Sequence, residues 1–356
     1  MKDFRRMSDI AKLDPNMAVA DAGADTLWYD AQLLTLEGKG WEDTEGPYDR
    51  LPTRVKDTVR QPVWDLSKHP SGMVVRCTTD AQQIAARWDG GGAMNHITAT
   101  GQSGLDLYVR HEGVWRWLGV GRPEPSRTTH QLTTGLPPGK RDYMLYLPLY
   151  APLSQLEIGI PPGATITPAP VRDAGALVFY GTSITQGGCA SRPGMTYAAI
   201  LGRRFDCPMI NLGFSGNGQM DAEVAELLGE LRTTAYILDA LPNLEEPRIT
   251  ERAEPFVRTI RAAQPETPIL LVDNIRYENA FLLADRAERF QSSCKAQQAA
   301  FRRLQEAGVP NLHYLECDKL LPDDPDGCTV DGTHLTDRGF VELANGMEDA
   351  LRNILP

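Results

Sequence analysis

The chain carries no excess of positive charge. Its 356 residues hold 36 lysines and arginines against 47 aspartates and glutamates, a net charge of −11. No basic block is longer than a pair such as Arg5-Arg6 or Arg302-Arg303. A general nucleic-acid binder presents a basic face to phosphates, so that class is excluded. Long apolar runs are missing too: nothing approaches the roughly 18 residues of a membrane span. The opening Met1-Lys2-Asp3-Phe4-Arg5-Arg6 has charges with no apolar stretch behind them, so no secretory leader is read. Cysteine is scarce. Cys77, Cys189, Cys207, Cys294, Cys317 and Cys328 are scattered, and none forms Cys-x-x-Cys, which removes both a disulfide framework and a thiolate metal clip. The expectation is a cytoplasmic protein with reduced thiols that meets neither nucleic acid nor membrane. His69, His96, His111, His130 and His313 show no metal-ligand spacing and read as structural or exposed. Asp323-Asp324-Pro325-Asp326-Gly327 lacks the alternating ligands and closing glutamate of a calcium loop. No metal and no organic cofactor are expected. Internal repeats and low-complexity segments are absent as well.

What is present is ordinary globular material, 42% apolar and 23% charged, in a length that suggests two domains. Residues 1–20 read as an arm. Over 21–160 the pattern is short strands between Gly-rich breaks: Leu33–Leu36, Gly72–Thr79, Leu105–Arg110, Val114–Val120 and Arg141–Tyr150. That spacing favours an all-β sandwich. Residues 161–172, rich in proline, read as a stiff linker. Over 173–356 the rhythm changes. Strands are predicted at Ala176–Tyr180, Met209–Gly213, Ala235–Leu241, Ile269–Ile275 and Leu312–Glu316. Helices are predicted near Thr196–Phe205, Ala222–Leu231, Thr250–Ala263, Ser292–Ala307 and Thr336–Leu351. Such alternation makes a parallel sheet with helices on both faces, and ligands of such sheets sit at the carboxyl ends of the strands.

Three strand ends carry polar groups that would converge there. Leu177-Val178-Phe179-Tyr180 runs into Gly181-Thr182-Ser183. Pro208-Met209-Ile210 runs into Asn211-Leu212-Gly213-Phe214-Ser215-Gly216. Tyr236-Ile237-Leu238 runs into Asp239-Ala240-Leu241-Pro242-Asn243. Far downstream stands Asp331-Gly332-Thr333-His334. A serine is a poor nucleophile unless a base takes its proton and a third group fixes that base. The four segments supply all three parts. Taken singly, Ser183 could cap a helix, Gly216 could serve a turn, Asn243 could follow a turn proline, and Asp331 could cap the terminal helix.

Together, these four blocks resemble the SGNH (GDSL-type) hydrolase family over roughly the C-terminal half. The resemblance implies a flavodoxin-like parallel sheet flanked by helices, here preceded by the β sandwich. It implies Ser183 as nucleophile, His334 as base and Asp331 as its orienter. It implies an oxyanion hole from the N–H groups of Ser183 and Gly216 and the amide of Asn243, with Gly213 and Gly218 as alternative donors. Two blocks depart from the usual pattern: Thr182 replaces the aspartate of Gly-Asp-Ser, and Leu241-Pro242-Asn243-Leu244 replaces Gly-x-Asn-Asp. Gly104-Leu105-Asp106-Leu107-Tyr108 and Gly187-Gly188-Cys189-Ala190-Ser191-Arg192 are similar to one subgroup that carries an N-terminal Gly-x-Asp-Leu-Tyr β domain.

The activity this implies is hydrolysis of small acyl esters, acetyl esters of sugars or oligosaccharides foremost, through an acyl-enzyme. A lipolytic or aryl esterase is the alternative. An inactive carbohydrate-binding protein, with Tyr108, Trp115 and Trp117 as stacking groups, is the alternative of another class. Arg192 is either a solvated loop residue or, by analogy, a contact to an anionic or hydroxyl-rich substrate. The β domain, on so short a tether, is expected to pack on the catalytic domain, to rim its site or to make a homo-oligomer contact.

Overall fold

The computed structural model describes residues 25–92 and 94–355, and the arm expected over residues 1–20 lies outside them. The N-terminal half folds into two antiparallel sheets. One has four strands in the order β1-β9-β4-β7: β1 (Leu27–Asp30), β9 (Leu156–Ile160), β4 (Ile84–Trp88) and β7 (Thr128–Thr133). The other follows β10-β3-β8-β5-β6: β10 (Ile166–Pro168), β3 (Val74–Thr79), β8 (Arg141–Tyr146), β5 (Leu105–His111) and β6 (Val114–Gly121). A short β2 (Thr35–Glu37) also pairs with β3. It occupies Val74 to Arg76, while β10 continues the same ladder over Cys77 to Thr79.

The linker expectation needs correction here. Ile166–Pro168 is an edge strand of the β domain, and Arg172 pairs with Glu37 of β2. Three residues are too few to show alternation, and Pro168 is tolerated only because the strand is at an edge.

The C-terminal half is a five-stranded parallel sheet ordered β12-β11-β13-β14-β15. The strands are β11 (Ala176–Gly181), β12 (Met209–Gly213), β13 (Thr233–Asp239), β14 (Ile269–Val272) and β15 (Leu312–Leu315). β11 and β14 read as unbroken apolar runs because both their faces are covered. The chain leaves β11 to one side for β12 and returns to the other for β13. That reversal is the switch point beside which ligands of such sheets bind. Helices Tyr197–Arg204, Ala222–Gly229, Glu246–Ala263, Ala284–Glu306 and Asp337–Ile354 cover the sheet. The helix expected from Ser292 begins eight residues earlier, at Ala284. Its first two turns are largely exposed, so they offered no apolar periodicity to read.

The two halves share their interiors. Val74, Tyr108, Met144, Tyr146, Leu149 and Tyr150 of the β domain pack with Leu177, Phe179, Tyr197 and Leu201 on one face of the parallel sheet. Trp41, Leu51, Val63 and Trp64 join the core on the other face. Alternation along β5 explains the arrangement. Leu105, Leu107 and Val109 point into the sandwich, whereas Tyr108 points at the α/β half. The strand is therefore buried on both sides, and its Asp106 is fully buried. Each such aromatic contributes roughly 2–3 kcal/mol of burial.

Candidate active site

Ser183 opens a single helical turn, Ser183–Gln186, immediately after β11. Thr182 forms a capping box with Thr185: its side chain accepts from the turn's backbone, and the Thr185 hydroxyl accepts the Thr182 N–H at 3.1 Å. A threonine thus holds the place of the family aspartate by capping the turn. Ser183 is buried, with 7% of its surface exposed.

The serine Oγ lies 2.9 Å from His334 Nε2. On the far side of the ring, His334 Nδ1 is 2.7 Å from Asp331 Oδ2. Asp331 Oδ1 accepts the N–H groups of His334 (2.8 Å) and Thr333 (3.0 Å). Burial would raise this carboxyl, but the His334 backbone and ring and the Thr333 N–H together hold it below the usual aspartate range. The imidazole therefore faces an ionised carboxylate with one oxygen fixed by backbone. Nδ1 must carry the proton, which leaves Nε2 free to accept the serine proton.

Gly216 and Asn243 follow the ends of β12 and β13, the strands on either side of β11. Gly216 sits in a turn at φ +68°, a left-handed conformation that glycine adopts freely. Its N–H has no partner among the described residues. The other two candidates are spoken for: Gly213 N–H bonds to Asn211 Oδ1 (2.9 Å), and Gly218 N–H bonds to Phe214 O (3.0 Å) and Asn243 Oδ1 (3.2 Å). That last bond fixes the Asn243 amide so that its NH₂ end is directed away from Gly218. Asn243 stands at the end of a 3₁₀ turn, Leu241–Asn243, after β13.

Arg192 is placed elsewhere. Its guanidinium bonds to Asp106 Oδ2 (2.7 Å) and to the Tyr108 hydroxyl (2.6 Å), and it lies over the Trp117 ring. Asp106 also accepts from Trp117 Nε1 (2.9 Å) and Gly194 N–H (2.9 Å). Gly194 approaches so closely that a Cβ there would lie 2.5 Å from the Tyr108 ring. Arg192, expected either in solvent or against substrate, is the α/β half's side of an interdomain ion pair: Nη1 faces the buried aspartate, and Nη2 lies 3.2 Å from Met195 Sδ. Tyr108 and Trp117 belong to the same contact.

Several residues at the site gave no signal in the sequence. Arg50, fully buried, donates to the carbonyls of Asn211 (3.0 Å) and Gly213 (2.7 Å) and lies over the Phe214 ring, so it braces the Gly216 loop from beneath. Burial pushes its guanidinium down to about 9. Gln186 joins three segments: its NH₂ reaches Leu149 O (3.1 Å) and His69 Nδ1 (3.2 Å), and its oxygen accepts Ser215 N–H (3.0 Å). Burial, with Arg50 nearby, lowers His69 to about 4, so the ring is neutral and accepts. Tyr150 donates to Ser183 O (3.2 Å), and Ser71 to Gln186 O (2.6 Å). Glu278 straps the Asp331–His334 loop through the N–H groups of Cys328 and Thr329 and the Thr329 hydroxyl. His96, on the β domain, lies 5.7 Å ring to ring from His334. Below the serine turn, burial lifts Asp239 to about 6 although Tyr197 donates to it at 3.0 Å.

A hydroxyl, an imidazole and a carboxylate in series at the carboxyl ends of a parallel sheet are the parts of a serine acyl hydrolase. The chain belongs to the GDSL-like lipase/acylhydrolase family, whose model matches residues 174–352. A second model, the N-terminus of SGNH-hydrolase-type esterases, matches residues 26–166. The fold is similar to that of a protein from Bacteroides ovatus described as a GDSL-like lipase, with TM-score 0.88 and 35% identity over 92% of this chain and 98% of that one. It is also similar to the salicylyl-acyltransferase SsfX3 of a tetracycline pathway, with TM-score 0.73 and 19% identity over 93% of this chain and 98% of that one. A third likeness is to the acetyl xylan esterase Est2A of the rumen bacterium Butyrivibrio proteoclasticus, with TM-score 0.58 and 12% identity over 93% and 98%. The last two likenesses are of fold alone. No curated protein matches the chain.

Proposed function

We propose that the protein is a serine esterase that hydrolyses small acyl esters, acetyl esters of carbohydrates foremost, through an acyl-enzyme. The observation that carries this reading is the unbroken relay from Ser183 Oγ through His334 to Asp331, 2.9 and 2.7 Å long. His334 Nε2 takes the serine proton as Oγ adds to the ester carbonyl. The charge that develops on the carbonyl oxygen is met by the N–H groups of Ser183 and Gly216 and the Asn243 amide. Asp331 stabilises the imidazolium. The C–O bond to the alcohol then breaks, and His334 gives the proton to the leaving oxygen. Water, deprotonated by the same ring, attacks the acyl-serine and restores the enzyme. The acetyl and carbohydrate preference rests on the subgroup's resemblance and on the likeness of fold to an acetyl xylan esterase.

One observation favours the lipolytic or aryl reading. Phe281 (88% exposed) and Val330 (51%) line a cleft of about 780 Å³ that reaches Asp331. Solvent-facing apolar groups beside a site suit an apolar substrate portion. A series of p-nitrophenyl esters from acetate to octanoate, run beside acetylated xylose and glucose with acetate release as readout, decides between them. The acetyl reading requires kcat/KM to fall with chain length and acetylated sugars to turn over. A maximum at octanoate with inert sugars rejects it in favour of the lipolytic one.

A further inference from the structure

Helix Ala284–Glu306 connects two parallel strands, β14 and β15. Its N-terminal turns therefore stand at the carboxyl edge of the sheet, the edge that carries Ser183, Gly216 and Asn243. The helix buries Ser293, Cys294, Ala296, Gln297, Ala300 and Leu304. Followed back by the helical spacings of four and seven residues, that inward stripe runs from Ser293 to Arg289 and Arg286. At that height the sheet has ended, so the two arginines project over the strand-end loops instead of covering strands.

Their contacts agree. Arg286 Nη1 reaches Thr333 Oγ1 at 3.4 Å, next to His334 in the chain, and the guanidinium lies over the Tyr277 ring. Arg289 Nη2 donates to Pro242 O at 3.2 Å, next to Asn243. One arginine thus touches the loop of the base, and the other touches the loop of the oxyanion donor. Among the described residues, neither is within ion-pair distance of a carboxylate, whereas Arg54, Arg60, Arg76, Arg87, Arg192 and Arg338 each are. Asp331, the acidic group nearest in sequence to Thr333, is committed to His334 and to backbone N–H groups. Two uncompensated guanidiniums on one rim, in a chain of net charge −11, are placed to receive an anion. The planar fork of arginine matches a carboxylate.

We propose that Arg286 and Arg289 form an anion-recognising arm of the substrate site, so that the enzyme selects acyl esters whose alcohol carries a carboxylate, as in an O-acetylated uronate. The inference rests on the esterase reading above. The alcohol side is favoured because Arg286 stands beside the residue preceding His334, the group that protonates the leaving oxygen.

The test compares a matched pair, 4-acetoxybenzoate and its neutral methyl ester, in wild type, R286Q/R289Q and R286K/R289K. The ratio of kcat/KM for the anionic over the neutral ester is expected to fall about 10- to 100-fold in the glutamine variant, as expected for the loss of charge-assisted bonds. The change should lie mainly in KM and shrink as salt is raised. The lysine variant should keep the salt dependence and part of the ratio. An unchanged ratio, even with both esters slowed through disturbance of the Thr333 and Pro242 loops, overturns the proposal. Calorimetric titration with glucuronate provides a readout free of turnover: binding at least tenfold weaker in the glutamine variant supports the arm, and equal or absent binding in both proteins overturns it. A wild type that cleaves neither ester contradicts the esterase reading instead, and the titration still decides this one.

Discussion

The two halves of the molecule contribute different things to one site. Every group proposed to touch the reacting atoms comes from the α/β half, at a strand end or in the loop before the last helix. Much of what holds those groups comes from the β half: Arg50 beneath the Gly216 loop, Tyr150, His69 and Ser71 around the serine turn, and Asp106 across the interface. The reactive side is local in sequence, and the supporting side is not. Substitutions on the two sides should therefore separate stability from turnover.

The largest effect should come from the interface. Asp106→Ala removes the fully buried partner of Arg192 and strands the Trp117 and Gly194 donors. Breaking such a pair costs about 3–5 kcal/mol, measurable by urea unfolding. Turnover of p-nitrophenyl acetate by the fraction that remains folded should change by less than about tenfold, since no proposed reacting group is touched. A stable variant with collapsed kcat would reverse the division of roles.

On the reactive side the pattern inverts. Asn243→Ala should lower kcat by roughly 10²–10³ with KM nearly constant, because the amide acts on charge that develops in the transition state. Its stability should match wild type within about 1 kcal/mol. A raised KM with kcat intact would make Asn243 a binding residue.

Asp239, fully buried at the end of β13, ties stability to pH. Its folded value of about 6 lies above the unfolded value of about 3.9, so between these the folded state holds a proton that the unfolded state has released. Stability contributed by this group is thus present at low pH and drains away as pH rises through that window. His69, lowered to about 4, acts with the opposite sign. The difference between wild type and Asp239→Asn isolates the aspartate. The variant should be the more stable protein at pH 7, by roughly 2–3 kcal/mol, with the gap closing below about pH 4. A gap independent of pH would show that Asp239 does not titrate between the two states.

The same division decides what could be read from the sequence. β11, β12 and β13 are buried apolar runs that stop at glycine or aspartate, so the strands and the polar groups that follow them were visible together. Ser183, Gly216 and Asn243 each lie within a few residues of such a stop. Arg50 reaches Asn211 across 161 positions, and Glu278 reaches Cys328 across 50. No periodicity or spacing couples residues so far apart. The ion pair of Arg192 was unreadable for the same reason, since its partner lies 86 positions away in the β domain. The first two turns of the helix from Ala284 were missed because they cover no core, and those turns carry Arg286 and Arg289.

Acylation of Ser183 depends, in the proposed reaction, on its activation by His334 and Asp331. The most direct measurement is to treat the folded protein with a fluorophosphonate and locate the adduct by peptide mass spectrometry. One adduct per chain is expected, on Ser183, formed rapidly in wild type, orders of magnitude more slowly in His334→Ala, and not at all at that peptide in Ser183→Ala. Rapid labelling of wild type at any other residue, or no labelling of a protein that still cleaves p-nitrophenyl acetate, would contradict the proposed reaction.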